Sequence, residues 1–305
     1  MIREAARAAS TDRRRARAAA VSIVSNSALI ALKLVAAAVT GSVAILTEAI
    51  HSGIDLIASL IAFFSVRQAE EPADAEHRYG HEKFENVAAA AEGVLILVGA
   101  GVIIYASAVA LVRGPELESL GFGIGVVAFA SLTNLLVSAW LFRRARETQS
   151  PALEGDAAHL RTDAYTSLGV LIGLALVQWT DQEWLDPAVA LIIAVAIVVT
   201  GLRLVARSWR VLVDEALPAE ELAAIREAIA DFGHRDVVGY HKLRTRRAGA
   251  RRYLDLHVQF RAGTTLEAAH AAAHALQHQI EGRLHGADVL IHLEPEDMVR
   301  EDPIS

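Results

Sequence analysis

The sequence predicts a membrane all-α six-helix transmembrane bundle followed by a small cytoplasmic α+β domain, and three observations carry that prediction. With 53% hydrophobic residues and a mean hydropathy of +0.34, a chain of 305 residues is too apolar to be one or two soluble domains. Six apolar runs reach the roughly 17–25 residues that a hydrocarbon core requires. From about residue 212 those runs stop, and the periodicity changes to short alternating and short helical stretches.

The six runs cover 17–39, 42–66, 86–112, 119–142, 152–178 and 184–206. The second and fifth are the least apolar and hold paired His and Asp residues, which places them inside the bundle with the other four around them. Arg13 to Arg17, Arg67, Lys83, Arg143, Arg144, Arg146, Arg203, Arg207 and Arg210 fall on one side. Thr40-Gly41, Glu116/Glu118 and Asp181/Glu183 fall on the other, so the positive-inside rule puts both termini in the cytoplasm. This gives a cytoplasmic tail at 1–16, a transmembrane domain at 17–211 and a cytoplasmic regulatory and dimerisation domain at 212–305. The basic N-terminus precedes an apolar run longer than the roughly 7–15 residues of a signal peptide, and is read as leading a retained helix.

In the last domain, Pro218 with Glu220 and Glu221 opens a helix to about Phe232, because proline and acidic side chains suit a helix start. Tyr240 to Thr245 and Tyr253 to Phe260 alternate as strands do, with Leu254, Leu256, Val258 and Phe260 on one face and Asp255, His257 and Gln259 on the other. Leu266 to Leu284 repeats apolar residues at three- and four-residue steps, and Asp288 to Leu293 closes the domain as a strand. The order α-β-β-α-β implies one small sheet with helices on one face.

Composition also excludes. There is no cysteine, so neither a disulfide framework nor a thiolate metal site is available, and any metal falls to the carboxylates and the twelve histidines. A formal charge of -7 gives no footing for nucleic acid.

The chemistry concentrates in two four-residue steps, His51 to Asp55 and His159 to Asp163. Residues four apart share a helix face, with Cβ atoms about 5–6 Å apart. Each step therefore presents an imidazole beside a carboxylate, and two such helices face to face supply the four donors of a tetrahedral zinc-like site. Polar glue between helices is the alternative reading of such residues. Since ionisable groups at bilayer depth are costly, a metal path through the membrane is the first hypothesis. Two neutral imidazoles and two carboxylates carry -2, which balances one dication. Imidazole favours Zn²⁺ over Mn²⁺, and leaves Cd²⁺, Co²⁺ and Fe²⁺ open.

Four stretches in order resemble the cation diffusion facilitators: Gly41-Ser42-Val43-Ala44 leading to His51-Ser52-Gly53-Ile54-Asp55, His77-Arg78-Tyr79-Gly80-His81-Glu82-Lys83-Phe84-Glu85, His159-Leu160-Arg161-Thr162-Asp163, and Val289-Leu290-Ile291-His292. The resemblance covers nearly the whole chain. It implies a metallochaperone-like carboxy-terminal domain and a homodimer that exports divalent transition metals in exchange for protons. By the same resemblance the transport site is His51, Asp55, His159 and Asp163, and Asp74, His77 and His81 form a cytoplasmic loop site. It also implies a regulatory cluster of His241, His257, His270, His292 and Glu294, and an interlock of Lys83 with Asp214. His234, His274, His278 and His285 are read as surface histidines, and Lys33 receives no role beyond snorkelling or pairing with a carboxylate.

An enzyme is disfavoured, because the chain lacks His-Glu-x-x-His, Gly-x-Ser-x-Gly and a phosphate-binding Gly-rich loop with Lys. The rival function is a membrane-embedded metal sensor that does not transport. The expected location is a bacterial plasma (inner) membrane, spanned several times.

Overall fold

Small side chains set how closely the long helices approach in the computed structural model, which describes residues 2–40, 43–113, 121–182, 184–284 and 286–296. Six long helices come first: α1 (Ile2–Thr40), α2 (Val43–Ala69), α3 (Lys83–Arg113), α4 (Gly121–Thr148), α5 (Pro151–Thr180) and α6 (Leu185–Leu212). Among the described residues, α1, α3, α5 and α6 contain stretches long and apolar enough to cross a membrane: Arg14–Ala36, Lys83–Val112, Pro151–Val177 and Pro187–Leu212. Gly41, Ser42 and the loop at 114–120, with Glu116 and Glu118, lie outside the described residues.

The chain divides into two compact units, Met1–Trp209 and Arg210–Ser305. In the first, Ala18 and Ala19 of α1, Ala62 and Val66 of α2, Ala88 of α3, Leu141 and Ala145 of α4, and Ala152, Leu153, Ala157 and Leu160 of α5 share one buried cluster. A second cluster joins Ala89, Ile96 and Ala100 of α3 to Ala158 of α5 and to Ile197 and Leu204 of α6. Methyl-sized side chains let helix backbones come close where lipid offers no hydrophobic drive to associate. The backbones of α3 and α6 come close at Gly201, where a Cβ would lie 2.9 Å from Leu97 Cγ and 3.1 Å from the Gly93 carbonyl oxygen.

The start of α5 is written in its sequence. Ser150 is the N-cap, its hydroxyl accepting from Leu153 N at 3.4 Å, and Pro151 follows where a missing N–H costs nothing. Asp181 closes the helix in the left-handed region at φ 53°. At the other end of the unit, α1 begins at Ile2, so the segment expected as a tail is helical. Arg15 within it is buried, donating to Glu85 Oε1 at 3.4 Å and to the Thr148 carbonyl at 2.7 Å, and Ser150 donates to Glu85 Oε2. Arg15 therefore ties α1, α3 and the α4–α5 junction together.

The second unit holds α7 (Ala219–Ala230), β1 (Val237–Ala248), β2 (Arg251–Phe260), α8 (Leu266–Arg283) and β3 (Ala287–Pro295). The sheet order is β1-β2-β3; β1 and β2 are antiparallel, and β2 and β3 are parallel with α8 as the crossover. Leu254, Leu256, Val258 and Phe260 form the inner face, packed against Ile225, Ala228 and Ile229 of α7 and Ala269, Ala272, Leu276 and Ile280 of α8. His257 points to the opposite face by alternation. Both hairpin strands run longer than the sequence pattern suggests, because paired arginines replace the apolar alternation. Arg246 lies over the Tyr253 ring at 4.7 Å, and Arg252 grips the Glu221 carboxylate with contacts of 2.8 and 3.1 Å.

Candidate metal centres

Three groups of described His, Asp and Glu residues each bring ligand atoms within 4.8 Å of one another, and all three come from the residues singled out in the sequence. The first joins Asp55 of α2 with His159 and Asp163 of α5. His159 Nε2 stands 3.3 Å from Asp55 Oδ1 and 3.7 Å from Asp163 Oδ2. A tetrahedral ion with bonds of about 2.0–2.2 Å spaces its ligands about 3.3–3.6 Å apart, so these separations match a cage for one cation. Asp55 and His159 are buried. His51 occupies α2 one turn before Asp55, but its side chain lies outside the described residues. Arg161, between the two α5 donors in sequence, stacks its guanidinium over Phe142 at 4.3 Å.

Two carboxylates beside this site were missed in the sequence. Glu92 of α3 is fully buried, with Oε2 3.9 Å from His159 Nδ1. Asp156, one turn before His159, is also fully buried; it accepts from Ser59 Oγ at 2.9 Å, and Asn26 donates to the same hydroxyl at 2.8 Å. The signal for Glu92 was available, since it is the sole charged residue in the 86–112 run. Lys33 is buried and donates to Ser52 Oγ at 2.7 Å, so it does not snorkel.

The second group sits in the loop before α3. Asp74 Oδ1 accepts from the backbone N–H groups of Glu76 and His77 at 2.8 and 2.5 Å, a turn that fixes the carboxylate before any ion arrives. His77 Nδ1 and His81 Nε2 each stand 3.4 Å from an Asp74 oxygen, and the two rings are 4.4 Å apart. Gly80 makes the reversal at φ +87°, where an added Cβ would collide with Glu82. The His77 N–H bond holds the Asp74 carboxyl below the usual carboxylate range against a small opposing effect of burial. His81 is buried, whereas Asp74 and His77 face solvent.

The third group uses strand register. His241, His257 and His292 lie side by side across β1, β2 and β3, and Glu294 follows two residues along the same face of β3. His241 Nε2 is 2.8 Å from Glu294 Oε2, His257 Nδ1 is 2.6 Å from Oε1, and His292 Nε2 is 3.6 Å from Oε1. Partial burial pushes the Glu294 carboxyl up, but the hydrogen bonds from His257 and His241 outweigh that and leave it below its ordinary value. A register shift between His241 and Arg244, with Lys242 at φ 50°, turns β1 at this point. His270 is placed elsewhere: it lies on α8, which packs on the opposite face of the sheet, and its ring meets that of His274 at 4.5 Å. Asp214 pairs with Arg246 at 3.5 Å, and Lys83 opens α3 in the other unit. His285 lies outside the described residues.

An apolar helical unit holding a buried imidazole–carboxylate cage, joined to a small sheet domain with a second such cluster, defines a membrane protein built to handle cations. Comparison with known proteins agrees. The model described as "Cation efflux transmembrane domain" matches residues 19–213, and that described as "Cation efflux protein, cytoplasmic domain" matches 217–296. An uncharacterized transporter of Synechocystis sp. is 36% identical over 287 residues, 94% of this chain and 91% of the relative. The cation-efflux pump FieF of Yersinia pestis is 35% identical over 270 residues, 88% of this chain and 89% of that pump. A solved structure of CzrB in its Zn form is 34% identical over 28% of this chain and 98% of its own, with a TM-score of 0.27. The chain belongs to the cation efflux family, the cation diffusion facilitators, and is a membrane transporter, not an enzyme.

Proposed function

We propose that this protein exports a divalent transition metal, Zn²⁺ fitting best, from the cytoplasm in exchange for protons. The path is a His2Asp2 site of His51, Asp55, His159 and Asp163 between α2 and α5 of a six-helix transmembrane bundle, worked by alternating access. One observation carries the reading: the donor atoms of Asp55, His159 and Asp163 converge within 4.8 Å of one another between two long helices. Mixed nitrogen and oxygen donors suit Zn²⁺, then Cd²⁺, Co²⁺ and Fe²⁺, better than a hard ion. An imidazole must be neutral to bind metal, so protons and metal compete for one lone pair, which is the minimum chemistry for antiport.

The remaining assignments follow the same scheme. Residues 1–16 precede a membrane domain at 17–211, and 212–305 form a cytoplasmic domain of a homodimer in the plasma (inner) membrane, with both termini cytoplasmic. Asp74, His77 and His81 make a modest loop site, and His241, His257, His292 and Glu294 make the regulatory cluster. His270 contributes to that cluster only through a rearrangement or another chain. Lys83 and Asp214 serve as the interlock.

The test is uptake into proteoliposomes under an imposed pH gradient, with Zn²⁺, Cd²⁺, Fe²⁺ and Mn²⁺ in parallel. Flux that follows the gradient, prefers Zn²⁺ and disappears in His159→Ala and Asp163→Ala is expected. Wild-type flux in either variant overturns the site, and the absence of gradient-dependent flux in the wild type returns the protein to the sensor reading.

A further inference from the structure

The two edges of the His159 ring face different groups. Nε2 looks toward Asp55 and Asp163, at 3.3 and 3.7 Å. Nδ1 looks toward Glu92 Oε2 at 3.9 Å, and it is buried with no hydrogen-bond partner. Glu92 itself is 0% exposed, and both of its carboxylate oxygens are buried without a hydrogen bond. A buried carboxylate left so is costly in an apolar medium. Its seat is specific: α5 carries Gly155 where the Glu92 stem crosses, and a Cβ there would lie 3.0 Å from Glu92 Cγ and 3.1 Å from its Cβ.

We propose that Glu92 is the positioning residue of the transport site, an inference that rests on the reading above. A neutral imidazole carries its proton on one nitrogen and its lone pair on the other. An acceptor at Nδ1 holds the proton there, which leaves the Nε2 lone pair aimed at the cation between Asp55 and Asp163. The 3.9 Å contact is longer than a hydrogen bond. It shortens to one when the ring turns onto a bound cation, so the carboxylate both selects the tautomer and stiffens the ring in its loaded orientation. Outer carboxylates of this kind raise the basicity of a ligating histidine, and losing them costs about 10–100-fold in metal affinity. The nitrogen donor is also what separates Zn²⁺ from Mn²⁺ at this site, so Glu92 contributes to selectivity without touching the ion.

The experiment is initial-rate uptake of Zn²⁺ and of Mn²⁺ by the full chain in proteoliposomes at a fixed pH gradient. Glu92→Leu is expected to raise the KM for Zn²⁺ by about 10–100-fold, and the KM for Mn²⁺ by less. Glu92→Gln, whose Oε1 accepts the same N–H, recovers most of the loss, and Gly155→Ala, which displaces the Glu92 stem, raises the Zn²⁺ KM in the same direction. An unchanged Zn²⁺ KM in Glu92→Leu, equal proportional changes for the two metals, or a Gln variant no better than Leu overturns the proposal. Should Glu92→Leu fail to fold, Gly155→Ala decides, and a wild-type KM there overturns it too. Asp163→Ala runs alongside: its retained flux refutes the transport site itself, whereas dead Asp163→Ala beside wild-type Glu92→Leu refutes only the role of Glu92.

Discussion

Replacing Arg15 with alanine is expected to cost about 3 kcal/mol of stability, the low end for breaking a buried ion pair. Arg15 is 8% exposed and Glu85 1% exposed, and Arg15 bridges Glu85 Oε1 at 3.4 Å and the Thr148 carbonyl at 2.7 Å. Truncation leaves the Glu85 charge in place without the Arg15 guanidinium, and removes a charge-assisted bond from the carbonyl of the last α4 residue. The donation from Ser150 to Glu85 survives, which is why the estimate sits at the low end. Arg15→Lys is intermediate, since one ammonium cannot reproduce a fork that reaches two acceptors.

The measurement is a double-mutant cycle with Glu85→Ala, read by denaturant unfolding in mixed micelles. Removing both charges leaves neither member of the pair as an uncompensated buried charge, so the pair should show a coupling of about 2 kcal/mol, within the range for residues in one polar network. Because Ser150 caps the helix that carries His159 and Asp163, Arg15→Ala should also raise the Zn²⁺ KM. A single-variant cost under about 0.5 kcal/mol, the scatter of ordinary surface substitutions, or an additive cycle refutes the reasoning.

Leu276→Ala, in the fully buried centre of the soluble unit, should destabilise that unit by about 2–5 kcal/mol, seen as earlier loss of its far-UV signal on heating. Thr265→Ala should cost about 1 kcal/mol through loss of the α8 N-cap, whose hydroxyl accepts from Ala268 N at 3.2 Å. The Glu294 carboxyl sits below its ordinary value, so its contribution to stability is complete above the unfolded carboxylate range and is lost as pH falls through the lower folded value. Acid unfolding of wild type and Glu294→Gln should therefore converge at low pH and diverge above it; parallel curves refute the assignment. Asp74→Ala should abolish loop binding of Zn²⁺ and leave Zn²⁺ uptake measurable, which competition with a chromophoric chelator and a flux assay check together.

Periodicity made most of the architecture legible. Apolar runs placed all six long helices, and the alternation of Leu254, Leu256, Val258 and Phe260 correctly named the inner face of the sheet. Charge defeated the same reading at the edges. Arg246, Arg247, Arg251 and Arg252 hide the end of the β1–β2 hairpin, whose two-residue turn at Gly249 and Ala250 is marked by Gly249 at φ 53°. Arg15 looked like one of a run of topological charges, because sequence spacing says nothing about Glu85, seventy positions away. The site divides along the same line: the four-residue step on α5 sets His159 and Asp163 in one group, while Glu92 and Asp156 reach His159 and Ser59 only through packing. His270 shows the converse, since a stripe of histidines four apart on α8 carries no information about which face of the sheet the helix covers.

The three donor groups differ in how far their donors are already engaged with one another. In the sheet cluster, Glu294 already accepts from His241 and His257 at 2.8 and 2.6 Å, so a metal must displace two charge-assisted bonds before it gains its own. On the proposed regulatory reading, such a site binds only at raised metal concentration. In the loop, Asp74 is held by two backbone N–H groups whether or not the histidines are engaged, so the ion completes a turn that already exists. Between α2 and α5 the balance is reversed: Asp55 and His159 are buried, Asp163 is partly so, and His159 meets Asp55 at only 3.3 Å. Under the proposed antiport, such donors bind a dication strongly in one conformation and a competing proton releases it in the other. On that proposal the proton gradient is a requirement of the site's own chemistry.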